Sequence, residues 1–99
     1  MQIVWSTAAY DDLEQIWNYL VNEASVAGAD AQIVKIESAC RTLADFPFAG
    51  RSRDTLVAGL RTIVAAPYIV FYRKNDAIVE IVRVLDGRRD IDAILAGMP

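Results

Sequence analysis

The 99-residue chain suffices for one hydrophobic core, and its 55% apolar share exceeds the roughly 45–50% usual for soluble domains. With no histidine and Cys40 as the lone cysteine, an internal disulfide is excluded and zinc or thiol chemistry lacks the residues it needs. The net charge of -3 argues against tight binding to free nucleic acid.

Gln2-Ile3-Val4-Trp5 reads as a short strand, with Ser6 as an N-cap and a helix beginning near Thr7. Asp11, Asp12 and Glu14 are expected to favour the positive end of that helix. Ala9, Leu13, Ile16, Trp17 and Leu20 form one helical stripe, which predicts a core-facing side. The pattern fades around Asn22 to Gly28. It resumes as Ala29, Ile33, Ile36, Cys40 and Leu43 before Phe46-Pro47 ends it. Two amphipathic helices with a short break predict an antiparallel helical hairpin. Cys40 lies on the second stripe and is read as a small buried hydrophobe.

After Pro47-Phe48-Ala49-Gly50 the period changes. Leu60 to Ala65, Tyr68 to Arg73 and Ile78 to Leu85 are rich in β-branched and aromatic residues, with Lys74-Asn75-Asp76 as a polar break of hairpin length. They are expected to form adjacent antiparallel strands. Strict alternation in the last puts Ile78, Glu80, Val82 and Val84 on one face and Val79, Ile81, Arg83 and Leu85 on the other. Both faces are largely apolar, so the face away from the hairpin needs cover from Ile91 to Leu95, from a partner, or from both. The expected fold is α+β: an N-terminal strand, a two-helix hairpin on a small antiparallel sheet and a short C-terminal helix, in one domain over residues 1–99. The longest internal stretch without charge, Thr62 to Tyr72, is eleven residues broken by Pro67, against about 20 for a membrane span. No basic region precedes an apolar run at the start. The expected compartment is the cytoplasm.

Charge is unevenly spread. Residues 1–50 carry seven acids against Lys35 and Arg41, whereas residues 51–99 carry eight bases against six acids. Nearly all those bases are arginine, whose planar fork suits carboxylate or phosphate. Gly50, Gly59 and Gly87 are explained by turns, with no phosphate-cradling pattern around them.

Five stretches carry a resemblance: Trp5-Ser6-x-x-Ala9-x-x-Asp12-Leu13-x-x-Ile16, Phe46-Pro47-x-x-Gly50-Arg51, Gly59-Leu60-Arg61, Tyr68-Ile69-Val70-Phe71-Tyr72-Arg73 and Ile81-Val82-Arg83-Val84-Leu85-x-Gly87-Arg88-Arg89-Asp90. In this order they look like the ParE branch of the ParE/RelE toxin superfamily, over nearly the whole chain. The resemblance implies a toxin neutralised by a cognate antitoxin. ParE toxins poison DNA gyrase, and RelE toxins cut mRNA on the ribosome.

A metal-free nuclease needs proton-transfer groups and cations for the phosphate. The resemblance offers Arg61 and Arg83 as the cations. Some relatives have histidine where this sequence has Asp86, others use an aromatic near the C-terminus, and no aromatic follows Tyr72. An ordinary aspartate, at a pKa of about 3.9, is a poor acid near neutral pH. A gyrase inhibitor needs only differential binding to one state of its target. The preferred expectation is therefore a binder with no catalytic residue, metal or cofactor. Arg61, Arg73, Arg83, Arg88 and Arg89 are expected to meet the target. Trp5, Tyr68, Val70 and Tyr72 are expected to meet a ribbon-helix-helix antitoxin in a hetero-oligomer. An mRNA endonuclease and a non-toxic, antitoxin-binding homologue stay open as alternatives, as does simple cross-strand pairing of Arg61 or Arg83 with Glu80 or Asp86.

Overall fold

The computed structural model describes residues 1–97. In chain order these form β1 (Gln2–Trp5), α1 (Thr7–Glu23), α2 (Val26–Arg41), a 3-10 turn (Thr42–Ala44), β2 (Arg51–Ser52), β3 (Leu60–Ala65), β4 (Tyr68–Asn75), β5 (Ile78–Asp86) and α3 (Ile91–Ala96). The expected α+β fold is present. No helix among the described residues is long and apolar enough to cross a membrane.

Both long helices start where a serine satisfies free backbone N–H groups. Ser6 Oγ accepts from Ala9 N at 3.0 Å, and Ser25 Oγ accepts from Gly28 N at 2.9 Å. Only Ala24 and Ser25 separate the helices, a tighter break than the fading periodicity predicts. Trp17 Nε1 donates to Asp30 Oδ1 at 2.8 Å, tying the middle of α1 to the first turns of α2. Asp11, Asp12 and Glu14 lie beyond the first turn of α1, which holds no acid, so the expected dipole role does not apply.

The sheet has five strands in the order β1-β5-β4-β3-β2. It is mixed rather than purely antiparallel, because β1 runs parallel to β5 with Gln2 opposite Ile78 and Trp5 opposite Ile81. The two-residue β2 adds an edge that composition gave no reason to expect. β4 and β5 meet at a turn of only Asp76 and Ala77, with Asp76 at φ 51, a left-handed value that aspartate tolerates better than most residues.

A register shift between Phe71 and Tyr72 changes the expected faces of β5. Tyr72 pairs with Ile81 whereas Phe71 pairs with Arg83, so one extra residue is accommodated at Val82. Beyond it the alternation inverts. Val84 joins Val79 and Ile81 in the core under the helices, and Leu85 joins Val82 on the far face. The helical core also holds Ala9, Ile16, Ile36, Cys40, Leu43, Val70 and Tyr72. On the far face Leu60, Phe71, Val82 and Leu85 are covered by Leu95, with Ile91, Ile94 and Val57 packed around it. The C-terminal helix and the segment before β3 thus provide the cover within the chain itself.

Candidate functional site

The first α1 turns and β5 form the most tightly built polar feature. β1 ends at Trp5, leaving the β5 edge beyond Ile81 without a strand partner. Ser6 takes over, its N donating to Ile81 O at 3.0 Å and its Oγ to Val82 O at 2.8 Å. Asp12 continues the substitution: Oδ2 accepts from Val84 N at 2.9 Å. The same carboxylate receives the Arg83 fork, Nε to Oδ2 and Nη2 to Oδ1, both 2.8 Å. Asp12 is buried at 6% exposure, which makes the pair structural in position as well as charge-assisted. The bond to Asp12 raises the Arg83 pKa further.

At the far end of β5 a second group surrounds a cavity of about 220 Å³ lined by Asp12, Gln15, Tyr19, Tyr68, Asp86 and Arg89, among others. Arg88 grips Asp86 through Nη2 at 2.6 Å and Nε at 3.0 Å, and its backbone N adds a bond of 2.9 Å. The Arg88 side-chain and backbone bonds hold the Asp86 carboxyl down at a pKa of about 2. Burial, with the nearby Asp86 charge, raises the Tyr68 phenol.

The third group centres on the loop from Phe46 to Gly50. The Tyr72 hydroxyl, buried beneath it, donates to Pro47 O at 2.9 Å and accepts from Gly50 N at 2.8 Å. A Cβ on Gly50 would lie 2.5 Å from that hydroxyl and 2.7 Å from Thr62 O, so a close approach, not a left-handed backbone, requires glycine. Arg61 Nη1 donates to Gly50 O at 2.8 Å and Phe48 O at 3.3 Å. Its guanidinium lies 5.0 Å from the Phe48 ring centroid, and Lys74 Nζ lies 5.7 Å from it. Phe46 and Phe48 are 66% and 62% exposed.

The predicted arginines do not converge. Arg61 and Arg83 are on β3 and β5 with β4 between them, and their β4 partners, Tyr72 and Phe71, belong to opposite faces. Arg73 pairs with Glu80 at 3.2 Å, so the cross-strand partner expected for Arg61 or Arg83 belongs instead to Arg73. Arg88 lies with Arg89 beside the cavity, mostly exposed. Of the residues expected to meet an antitoxin, Val70 and Tyr72 have no accessible surface and Tyr68 little, because all three face the helical core. Trp5 is half-buried, its ring 6.0 Å from that of Tyr10. Sequence reasoning missed the edge-sealing role of Asp12 and the exposed pair Phe46 and Phe48. The signal for the latter was the Phe46-Pro47-x-x-Gly50-Arg51 stretch itself.

These features define a small mixed-sheet domain with an intramolecular ion-pair lock and an unneutralised basic, aromatic loop. Residues 3–91 match the family described as the ParE toxin of the type II toxin–antitoxin system parDE, and the chain belongs to that family. It is 40% identical over 84 residues to the toxin ParE3 of Caulobacter vibrioides, covering 85% of this chain and 84% of that one. To the toxin RelE2 of the same organism it is 31% identical over 88 residues, covering 89% and 97%. A solved structure described as a chromosomal ParDE toxin–antitoxin system from P. aeruginosa superposes with a TM-score of 0.78 at 23% identity, covering 87% of this chain and 95% of that one, which speaks to the fold.

Proposed function

We propose that this toxin acts in the cytoplasm by binding DNA gyrase, and that an antitoxin of ribbon-helix-helix type neutralises it in a hetero-oligomer. The observation that carries the binding mechanism is the state of Asp86. The clamp of Arg88 on Asp86, two side-chain bonds and one backbone bond, keeps this carboxyl ionised, so it has no proton to give a leaving group and the acid half of a nuclease is missing at this position. The two arginines a phosphate clamp requires support the same reading, since Arg83 is engaged by Asp12 and Arg61 lies on β3, with β4 between them. A binder loses nothing by this, because inhibition needs only unequal affinity for two states of the target.

Of the arginines expected at the target, Arg61 is assigned to contact, while Arg73, Arg83 and Arg88 are paired with Glu80, Asp12 and Asp86 and Arg89 lies at the separate cavity beside Tyr68. Antitoxin contact is assigned to the exposed parts of Trp5 and the rim of Tyr68, while Val70 and Tyr72 shape the core beneath. Induction in a bacterial host tests the reading: replication arrest with an SOS response, relieved by co-expressing the small neighbouring gene, is the expected outcome. Continued replication with arrested translation is the opposite one.

A further inference from the structure

Two large apolar side chains, Phe46 and Phe48, stand in solvent on the short loop before β2; Arg61 and Lys74 lie at the Phe48 ring, and Arg51 follows the loop in sequence. None of the ion pairs formed among the described residues involves Arg51, Arg61 or Lys74. Arg61 and Lys74 are held instead at the Phe48 ring, and Lys74 Nζ donates only to Asp76 O, at 3.1 Å. Asp54, exposed on this rim, is engaged by its own loop: Oδ1 accepts from Gly59 N at 2.7 Å and Oδ2 from Ser52 Oγ at 3.0 Å. Phe48, Arg61 and Lys74, with Asp54 and Ser52, border a hollow of about 330 Å³. The loop is pinned by Tyr72 and Arg61, so little ordering remains to be lost when it is covered.

We propose that the Phe46–Phe48 loop with Arg51, Arg61 and Lys74 is the surface through which the toxin docks on its target, a protein surface with carboxylates rimming an apolar depression. This rests on the reading of the chain as a binding toxin and adds the place of contact. Exposed aromatics beside arginine are the residue types that anchor protein interfaces. Arg51, Arg61 and Lys74, none of them in an ion pair among the described residues, supply the complementary charge, in a chain whose net charge is -3. A protein fits better than a nucleic-acid strand. Two cations already engage the Phe48 ring, which leaves its face less open to stack on a base, and the net charge of -3 disfavours a phosphate backbone.

Two variants test this, altering side chains that are exposed or, for Lys74, half-buried: the pair Phe46→Ser, Phe48→Ser and the pair Arg51→Glu, Lys74→Glu. The readouts are growth arrest on induction, inhibition of purified gyrase, affinity for the antitoxin and binding of a fluorescent oligo-dT strand. The phenylalanine pair is expected to lose inhibition by at least about 30-fold, in the range of hot-spot truncations, with antitoxin affinity unchanged. The charge reversal is expected to cost about tenfold at low salt and less at high salt. Inhibition and growth arrest within about twofold of wild type in both variants would overturn the proposal. So would a parallel loss of antitoxin affinity, or oligo-dT binding that depends on Phe48. Growth arrest that needs Phe46 and Phe48 while purified gyrase is untouched would retire gyrase as the target and retain the docking surface.

Discussion

Asp12 on α1 and Arg83 on β5, 71 residues apart in sequence, form a two-bond ion pair whose carboxylate also caps the free N–H of Val84. One side chain thereby replaces the strand that β1 does not supply. Removing the carboxylate strands both an arginine and a buried backbone donor. Asp12→Ala is expected to cost about 3 kcal/mol, the lower end for breaking a buried pair because Arg83 is itself partly exposed. Arg83→Ala leaves the bond to Val84 N in place and should cost less. Urea unfolding of both variants checks the order. A loss of toxicity in Arg83→Ala without any loss of stability would show a direct role for this arginine at the target.

The Asp86 carboxyl should titrate near pH 2 by carbon-detected NMR, and Arg88→Ala should return it toward about 3.9. The sign follows from the depressed value: the stabilisation is present above the unfolded pKa and is lost as pH falls from about 4 through 2. At neutral pH Asp86→Asn should leave toxicity within a few-fold. A loss of about 100-fold with intact folding would mark Asp86 as a proton-transfer group.

Tyr72→Phe should destabilise by about 1–2 kcal/mol, since Pro47 O and Gly50 N both lose the buried hydroxyl that satisfies them. Hydrogen exchange should quicken at Ala49 and Gly50 before the rest of the sheet. Gly50→Ala should cost about 3 kcal/mol, because the obstruction includes Thr62 O, which is backbone and cannot swing aside. Arg61→Ala should also loosen this loop, so its effect on inhibition needs the exchange measurement beside it.

Cys40 is 1% exposed, and burial pushes its thiol from an ordinary 9.0 up to about 12. A neutral-thiol reagent at pH 8 should label it only on unfolding. Because the folded value is raised, the stability it contributes is whole below pH 9 and lost as pH climbs from 9 toward 12. Rapid labelling of the folded chain would contradict the packing of α2.

Much of the fold was legible because it is written in local periodicity: both helix stripes reach the core through Ala9, Ile16, Ile36, Cys40 and Leu43. What alternation could not supply was which face of a strand meets which layer. Val70 and Tyr72 share a face, but that face lies under the helices and is closed to a partner. The inversion after Val82 arises from a register shift set by β4, and β1 pairs with a strand far along the chain. Neither leaves a local trace. The arginine-rich second half was legible in composition, but not the geometry that sorts those arginines. Whether an arginine is spent inside the fold depends on acids as distant as Asp12.

Inhibition by binding is tested most directly with the purified toxin in two reconstituted systems: DNA supercoiling by gyrase, and translation of a defined mRNA on ribosomes. Binding predicts that supercoiling falls with toxin concentration while the mRNA stays full length. Intact supercoiling together with ribosome-dependent cleavage of the mRNA would contradict it.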